Sequence, residues 1–546
     1  VIAPFSLLVG IQIVGAFVND NSVWGFNLWA IFPPWAVIAV ACGYALLSVP
    51  SVSLTLYAGI ARVIAPAIRY MDRMPRWSKW VLVTAVFASL AWVLRSRALV
   101  YGDGFTAISI SDRPGSDAFA SLHDYYRPLV ILAQLASQSL RYLGVESRES
   151  IFWIMSVAEG VAGWLGLVWA VRSMTSDSAS RSIILLTAMT SGCVVLLLGW
   201  VELYVFPTAL LLWLLASAIT YVRQNGSFWP VCLFGLLAVL SSALVAPVAL
   251  MILVVAAKLR GQTVLAKVTP RPRILFVLVA LFAVGLGVVI NLLSQVNFVV
   301  PLLATPINPY WTLSPRHLAD LANLALFVIP ACLSLFVLLA LRREYSQWLR
   351  EPTAVLLGLA GWTCLLVSFW LNPVLGAARD WDLLSFFGLP LSLLTGYFLT
   401  KVVVSDRQRH LLIVQLCLVA SVLLIPNLYE KTHLDAAVRR LEPLTWNDIH
   451  YQPGYYRAHR CLSFGMILHQ NCGRTDLAEK YFRRRIQAKP DCEFGWYNLG
   501  VVLFAKQQYV EASECFGRAL ELNPTSQSYR NSLDACLYKE LQLQLR

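Results

Sequence analysis

IILLTAMTSGCVVLLLGWVELYVFPTALLLWLLASAITYV, residues 183–222, is two apolar runs with a single acidic residue, Glu202, between them. Each run, at about 183 to 199 and 203 to 221, is close to what a helix needs to cross a ~30 Å hydrocarbon core, so only a tight turn separates them. Similar stretches, roughly 16 to 22 residues long, recur at about 1 to 18, 29 to 49, 78 to 96, 150 to 171, 228 to 241, 243 to 257, 273 to 292, 321 to 341, 353 to 371, 382 to 402 and 410 to 426. The stretch from Ser51 to Ile68 is a further span or an interfacial helix. With 58% hydrophobic and 13% charged residues and a mean hydropathy of +0.65, the composition excludes a soluble domain. The expected fold is all-α: a polytopic transmembrane helix bundle of about 11 to 14 spans, followed by a small helical repeat domain. Val1 to Val18 lacks a basic leader and a small-residue cleavage motif and reads as a true span rather than a signal peptide.

The net charge of +13 is not a nucleic-acid footprint, because the cations collect in alternate loops. Arg69, Arg73 and Arg76, then Arg172 and Arg181, Lys258 to Arg273, Arg342 to Arg350, and Lys401 to Arg409 alternate as the positive-inside rule requires, which makes those loops cytoplasmic. The opposite face then carries residues 96–150, Glu202, residues 295–320, residues 372–382 and everything after Pro426. Arg95 and Arg97 run against the pattern.

Beyond Pro426 a repeat appears. Trp496, Leu499, Gly500, Ala512, Phe516, Ala519 and Pro524 follow the tetratricopeptide spacing, and Ala478, Phe482 and Pro490 form a weaker second copy. Small Ala residues let paired helices approach, Phe fills the gap and Pro ends the second helix. Tyr455 to Leu468 is expected to add a helix and Gln527 to Leu543 to cap the stack. Three parts follow: extra membrane segments at 1–68, a membrane domain at 69–426 and an extracytoplasmic repeat domain at 427–546. Such a stack serves either as a structural cap or as a protein-partner surface. Of eleven cysteines, six sit in spans as apolar packing residues and five in the outer domain, where Cys461 with Cys472 is a candidate bridge. Their odd number and wide spacing disfavour a metal site.

Three polar patches fall on the outer face: Tyr101-Gly102-Asp103-Gly104-Phe105, Gly199-Trp200-Val201-Glu202-Leu203-Tyr204, and Gly376-Ala377-Ala378-Arg379-Asp380-Trp381-Asp382. Charges at the ends of apolar spans are costly unless they line a site. Alone, Asp103 reads as a turn aspartate among glycines, and Arg379 with Asp380 as a self-satisfied ion pair. Three co-facial clusters are harder to dismiss together.

From about Trp77 onward the chain resembles the GT-C superfamily of membrane glycosyltransferases, which use polyprenyl- or dolichyl-phosphate sugars. It is most similar to bacterial members and animal transmembrane mannosyltransferases that carry tetratricopeptide repeats after the membrane domain. The 199–204 run is similar to a Gly-x-x-Glu-x-Tyr pattern of the bacterial members, and Leu313 to Asp320 and Leu375 to Leu383 resemble two further blocks. The resemblance implies that Asp103, in the first outer loop, is the catalytic base of an inverting single displacement. Arg379, with Arg127 or His123, would hold the donor phosphate, since the planar guanidinium binds phosphate oxygens in pairs. Asp124, Glu202, Tyr204, His317, Asp380 and Asp382 would orient these groups or bind sugar hydroxyls, and Tyr310 with Trp311 would form an apolar platform. Family members often pair two acids in the first loop; here the next acid after Asp103 is Asp112, so no cofactor is assigned and a divalent metal is disfavoured. The implied partners are a lipid-linked sugar donor, a protein or glycan acceptor and a protein bound by the repeats, with the chain in a bacterial inner membrane.

Two alternatives stay open. A lipid-pyrophosphate-linked glycan ligase or polymerase would share this architecture. A non-enzymatic scaffold or transporter is the other, although a transporter should carry ionisable residues mid-span, where Glu159 stands nearly alone.

Overall fold

The computed structural model describes residues 2–18, 23–101, 131, 134–202, 204–242, 244–260, 300, 301, 303, 310–332, 345–372, 377–450 and 454–545. Among them the membrane part is built from α1 (Ile2–Gly15), α2 (Pro34–Ser48), α3 (Pro50–Arg73), α4 (Arg76–Val93), α5 (Arg148–Met174), α6 (Ser178–Met189), α7 (Val205–Gln224), α8 (Trp229–Ser241), α9 (Ala246–Arg260), α10 (Pro315–Val328), α11 (Pro352–Trp370), α12 (Gly388–Val402) and α13 (Asp406–Thr432). Proline at the first helical turn starts α2, α3, α10 and α11, where its missing N–H costs no hydrogen bond.

Among the described residues six helical segments are long and apolar enough to cross a membrane: Pro50–Arg73, Glu149–Met174, Val205–Gln224, Pro352–Trp370, Trp381–Val402 and Asp406–Thr432. Five further apolar helices are shorter. The larger count of 11 to 14 is therefore not reached among the described residues. One reason is visible in the opening stretch: the apolar run before Glu202 is α6 followed by a separate turn at Val194–Leu197, not one straight rod. The expected span at 273–292 lies outside the described residues.

Close helix contacts depend on small residues. A Cβ on Gly166 of α5 would stand 2.9 Å from Trp213 Cδ1 on α7, and one on Gly396 of α12 would meet Ile184 Cα of α6 at 2.7 Å. Glycine at these points lets the backbones approach, which is how apolar helices gain packing where burial from water supplies no drive. The described residues of 1–68, a stretch with no counterpart in the resemblance, pack into the bundle: Trp29 Nε1 donates to the Val422 carbonyl at 2.8 Å and Tyr44 OH to Gln415 Oε1 at 2.8 Å, both on α13.

After α13, helix α14 (Leu434–His450) leads into antiparallel pairs α15 (Gly454–Gln470) with α16 (Thr475–Ala488) and α17 (Glu493–Ala505) with α18 (Tyr509–Leu522), followed by α19 (Gln527–Gln544). The repeat is visible atom by atom. Gly465 faces Phe482 and Gly500 faces Phe516, and a Cβ on either glycine would come within 2.7 Å of the ring. Gly473 (φ 61°) and Gln507 (φ 63°), one repeat length apart, both turn the chain through the left-handed region between paired helices. Ala478, Phe482, Leu499, Ala512, Phe516 and Ala519 are buried as the spacing requires. All eleven cysteines are unbridged, Cys461 and Cys472 included.

Candidate functional site

The patches that are far apart in the sequence meet at one end of the bundle. Gly199, the hinge of the second patch, adopts φ 76°, and a Cβ there would strike the Ala91 carbonyl oxygen at 2.7 Å and Arg95 Cα at 3.0 Å. The turn it makes aims Trp200 inward, where its indole N–H donates to Asp382 Oδ2 at 3.1 Å. Asp382 is fully buried, and its other oxygen accepts from the Leu383 amide at 3.0 Å. Trp200 and Trp381 pack edge to face with centroids 5.3 Å apart, and Tyr101, the one described residue of the first patch, lies 5.6 Å from Trp200. Glu202, Tyr204, Arg379 and Asp380 are also buried in this region of the chain.

Two buried cations organise the segment at residues 95–101. Arg379, 2% exposed, donates from Nε to the Val100 carbonyl at 3.2 Å. Its Nη2 reaches Ser463 Oγ at 3.5 Å and its guanidinium lies 5.2 Å from the Phe464 ring centre, both on α15. The arginine thus joins the membrane part to the repeat domain. Lys431, with no exposed surface, donates to the Leu198 carbonyl at 2.7 Å and Val195 at 3.4 Å. The Lys431 carbonyl in turn accepts from the Arg97 and Ala98 amides at 2.9 Å each, and Ser96 N–H donates to Gly199 O at 2.8 Å. Residues 96–100 are thereby held from three sides, immediately before the segment that carries Asp103. Asp103, His123, Asp124 and Arg127 themselves lie outside the described residues.

The block at 313–320 supplies a second polar cluster. Ser314 caps α10 by accepting from the His317 amide at 3.2 Å. His317 Nε2 contacts the Phe369 carbonyl at 3.0 Å and Nδ1 the Tyr310 hydroxyl at 3.1 Å. That hydroxyl also approaches Asp320 Oδ2 at 3.2 Å, while Trp24 Nε1 donates to Asp320 Oδ1 at 3.1 Å and Arg316 Nε lies 3.5 Å from Oδ2. Burial pushes the His317 pKa down to about 4, the Phe369 carbonyl opposing this only in part. Because the folded value lies below that of the unfolded chain, acid takes up a proton in the unfolded state first. Stability should be unchanged above about pH 6.5 and fall by about 3 kcal/mol as pH drops from there toward 4. Denaturant unfolding of His317→Gln beside the native chain checks this: the variant should show a flatter response across that window.

Trp24 links the two clusters. It lines a narrow crevice with Tyr101, Trp200, Trp381, Glu430 and Arg440, wide enough for about one water. Glu430 pairs with Arg440, which also donates to the Trp24 carbonyl at 2.8 Å. Glu430 Oε1 and Tyr101 OH are buried without a hydrogen-bond partner at this crevice. Trp24, Glu430, Lys431 and Arg440 were not singled out from the sequence. The available signal was Glu430-Lys431, a charged pair that ends a long apolar helix. Among the described residues no three His, Cys, Asp or Glu side chains converge as a metal site would need.

Comparison with curated proteins finds no match to the chain. Residues 494–526, which span α17, α18 and the turn after them, match the tetratricopeptide repeat family.

Proposed function

We propose that this chain is an integral membrane glycosyltransferase that moves a sugar from a polyprenyl-phosphate donor to an extracytoplasmic acceptor. The acceptor oxygen forms the new bond to the anomeric carbon as the bond to the donor phosphate breaks, with inversion. Asp103 takes the acceptor proton, and the lipid phosphate leaves with both electrons, its charge met by Arg379 with Arg127 or His123. Glu202, Asp380 and Asp382 orient these cations or bind sugar hydroxyls.

The observation that carries this reading is the meeting of residues 199–204 with 377–382, carboxylates and indoles together, under the segment that leads to Asp103. A scaffold has no need to bury so many acids at the end of apolar helices. In this reading the catalytic loops and the repeats face away from the cytoplasm, as the alternation of cationic loops requires. The repeats then bind a protein acceptor or partner, the use such stacks commonly have.

The purified chain in nanodiscs should turn over radiolabelled sugars carried on polyprenyl monophosphate. Turnover restricted to pyrophosphate donors would instead make it a glycan ligase.

A further inference from the structure

An apolar groove of ≈ 640 Å³ runs along the bundle, walled by α4 and by Trp164 of α5 and closed behind by α13, with Phe87, Leu90, Leu94, Leu198 and Leu428 among its other lining residues. No polar atom contributes to its surface. Leu90 and Val86 on α4 are exposed, so the groove opens sideways. A hydrocarbon chain diffusing in the bilayer reaches it without passing a gate.

Its end at Leu94 and Leu198 meets the two cations that break the charge pattern of the outer loops. Arg95 is clamped between two indoles, its guanidinium carbon 4.3 Å from the centre of Trp92 and 4.5 Å from that of Trp153. Trp153 is fixed in turn by donating to the Ser96 carbonyl at 2.8 Å. Arg95 Nη1 donates to the Trp92 carbonyl at 2.6 Å, while its Nε is buried without a partner. Arg97 is exposed two residues on. Among the described residues no carboxylate forms an ion pair with either arginine. Two like charges beside an apolar channel, one of them pre-set by aromatic faces, complement an amphiphile with a negative head and an apolar tail.

We propose that this groove is a binding site for an anionic glycerophospholipid of the surrounding bilayer, its acyl chains along α4 and its phosphate on Arg95 and Arg97. The groove's lateral opening favours a bulk bilayer lipid, present at high local concentration, over a scarce specialised one. Arg95 and Arg97 adjoin Gly199 and Lys431 at the edge of the candidate site, but the proposal does not depend on the sugar-transfer reading.

Native mass spectrometry of the full chain in detergent tests the assignment, titrating equimolar phosphatidylglycerol and phosphatidylcholine. One phosphatidylglycerol should be retained over phosphatidylcholine by roughly tenfold or more. Arg95→Gln with Arg97→Gln should bring the ratio to parity, Arg95→Lys with Arg97→Lys should keep most of it, and Leu90→Trp should lower retention of both lipids by filling the groove. The lysine pair controls for loss of fold. Equal retention by the native chain, or a preference that survives the double glutamine variant, would overturn the proposal. So would displacement of phosphatidylglycerol by a stoichiometric polyprenyl phosphate, which would give the groove to an isoprenoid instead.

Discussion

Replacing Arg379 with alanine is expected to lower sugar transfer by about 10²- to 10³-fold, the usual loss when one donor to a developing oxyanion is removed. The same change should loosen the repeat domain. Arg379 holds the Val100 carbonyl on one side and Ser463 with Phe464 on the other, so alanine removes the cation and opens a void at the junction. Hydrogen exchange should rise in α15 and in residues 96–101 while the α5–α7 pair stays protected. Arg379→Lys separates the two roles. A lysine keeps the charge but loses the planar fork and much of the contact with Phe464, so partial activity with a loosened junction is expected. If both variants transfer sugar at the native rate, the phosphate role of Arg379 is wrong.

The largest effect on stability is expected at Asp320, where Asp320→Ala should cost about 3 to 5 kcal/mol. Its carboxylate is 6% exposed and gathers the Trp24 indole, the Tyr310 hydroxyl and the Arg316 guanidinium. Alanine leaves an indole N–H without its acceptor and removes the carboxylate facing the Tyr310 hydroxyl and Arg316, in a setting from which water is largely excluded. Asp320→Asn keeps an acceptor for Trp24 and should cost less than half as much. Trp24→Phe in the alanine background should recover part of the loss, because the orphaned N–H is then gone. Denaturant titration of the purified chain measures all three, and equal stability of Asp320→Ala and the native chain would dismiss the hub.

The fold was legible where local patterns decide it. The repeat could be read because Ala, Phe and Pro occupy fixed positions in each helix pair, and Gly500 against Phe516 is the packing that this spacing demands. Apolar runs likewise announced the bundle. Their number was not legible, since hydropathy does not distinguish one straight span from α6 and the separate turn at Val194–Leu197.

The site divides in the same way. Glu202, Arg379 and Asp382 stood out because a charge at the end of an apolar run is expensive. Trp24 did not, because its partner Asp320 is hundreds of residues away, and Arg440, which pairs with nearby Glu430, reaches the crevice through the equally distant Trp24 carbonyl. Burial of Arg379 against α15 was equally hidden. A cation beside two aspartates looks locally self-sufficient, and only the tertiary fold brings Ser463 and Phe464 to it.

The central claim is that Asp103 is the base of a sugar transfer, and single-turnover transfer from a radiolabelled polyprenyl-phosphate sugar tests it most directly. Asp103→Asn should insert normally, bind the donor as the native chain does and transfer at a rate lower by about 10²- to 10⁴-fold, the range for loss of a general base. Transfer by Asp103→Asn at the native rate would contradict the account.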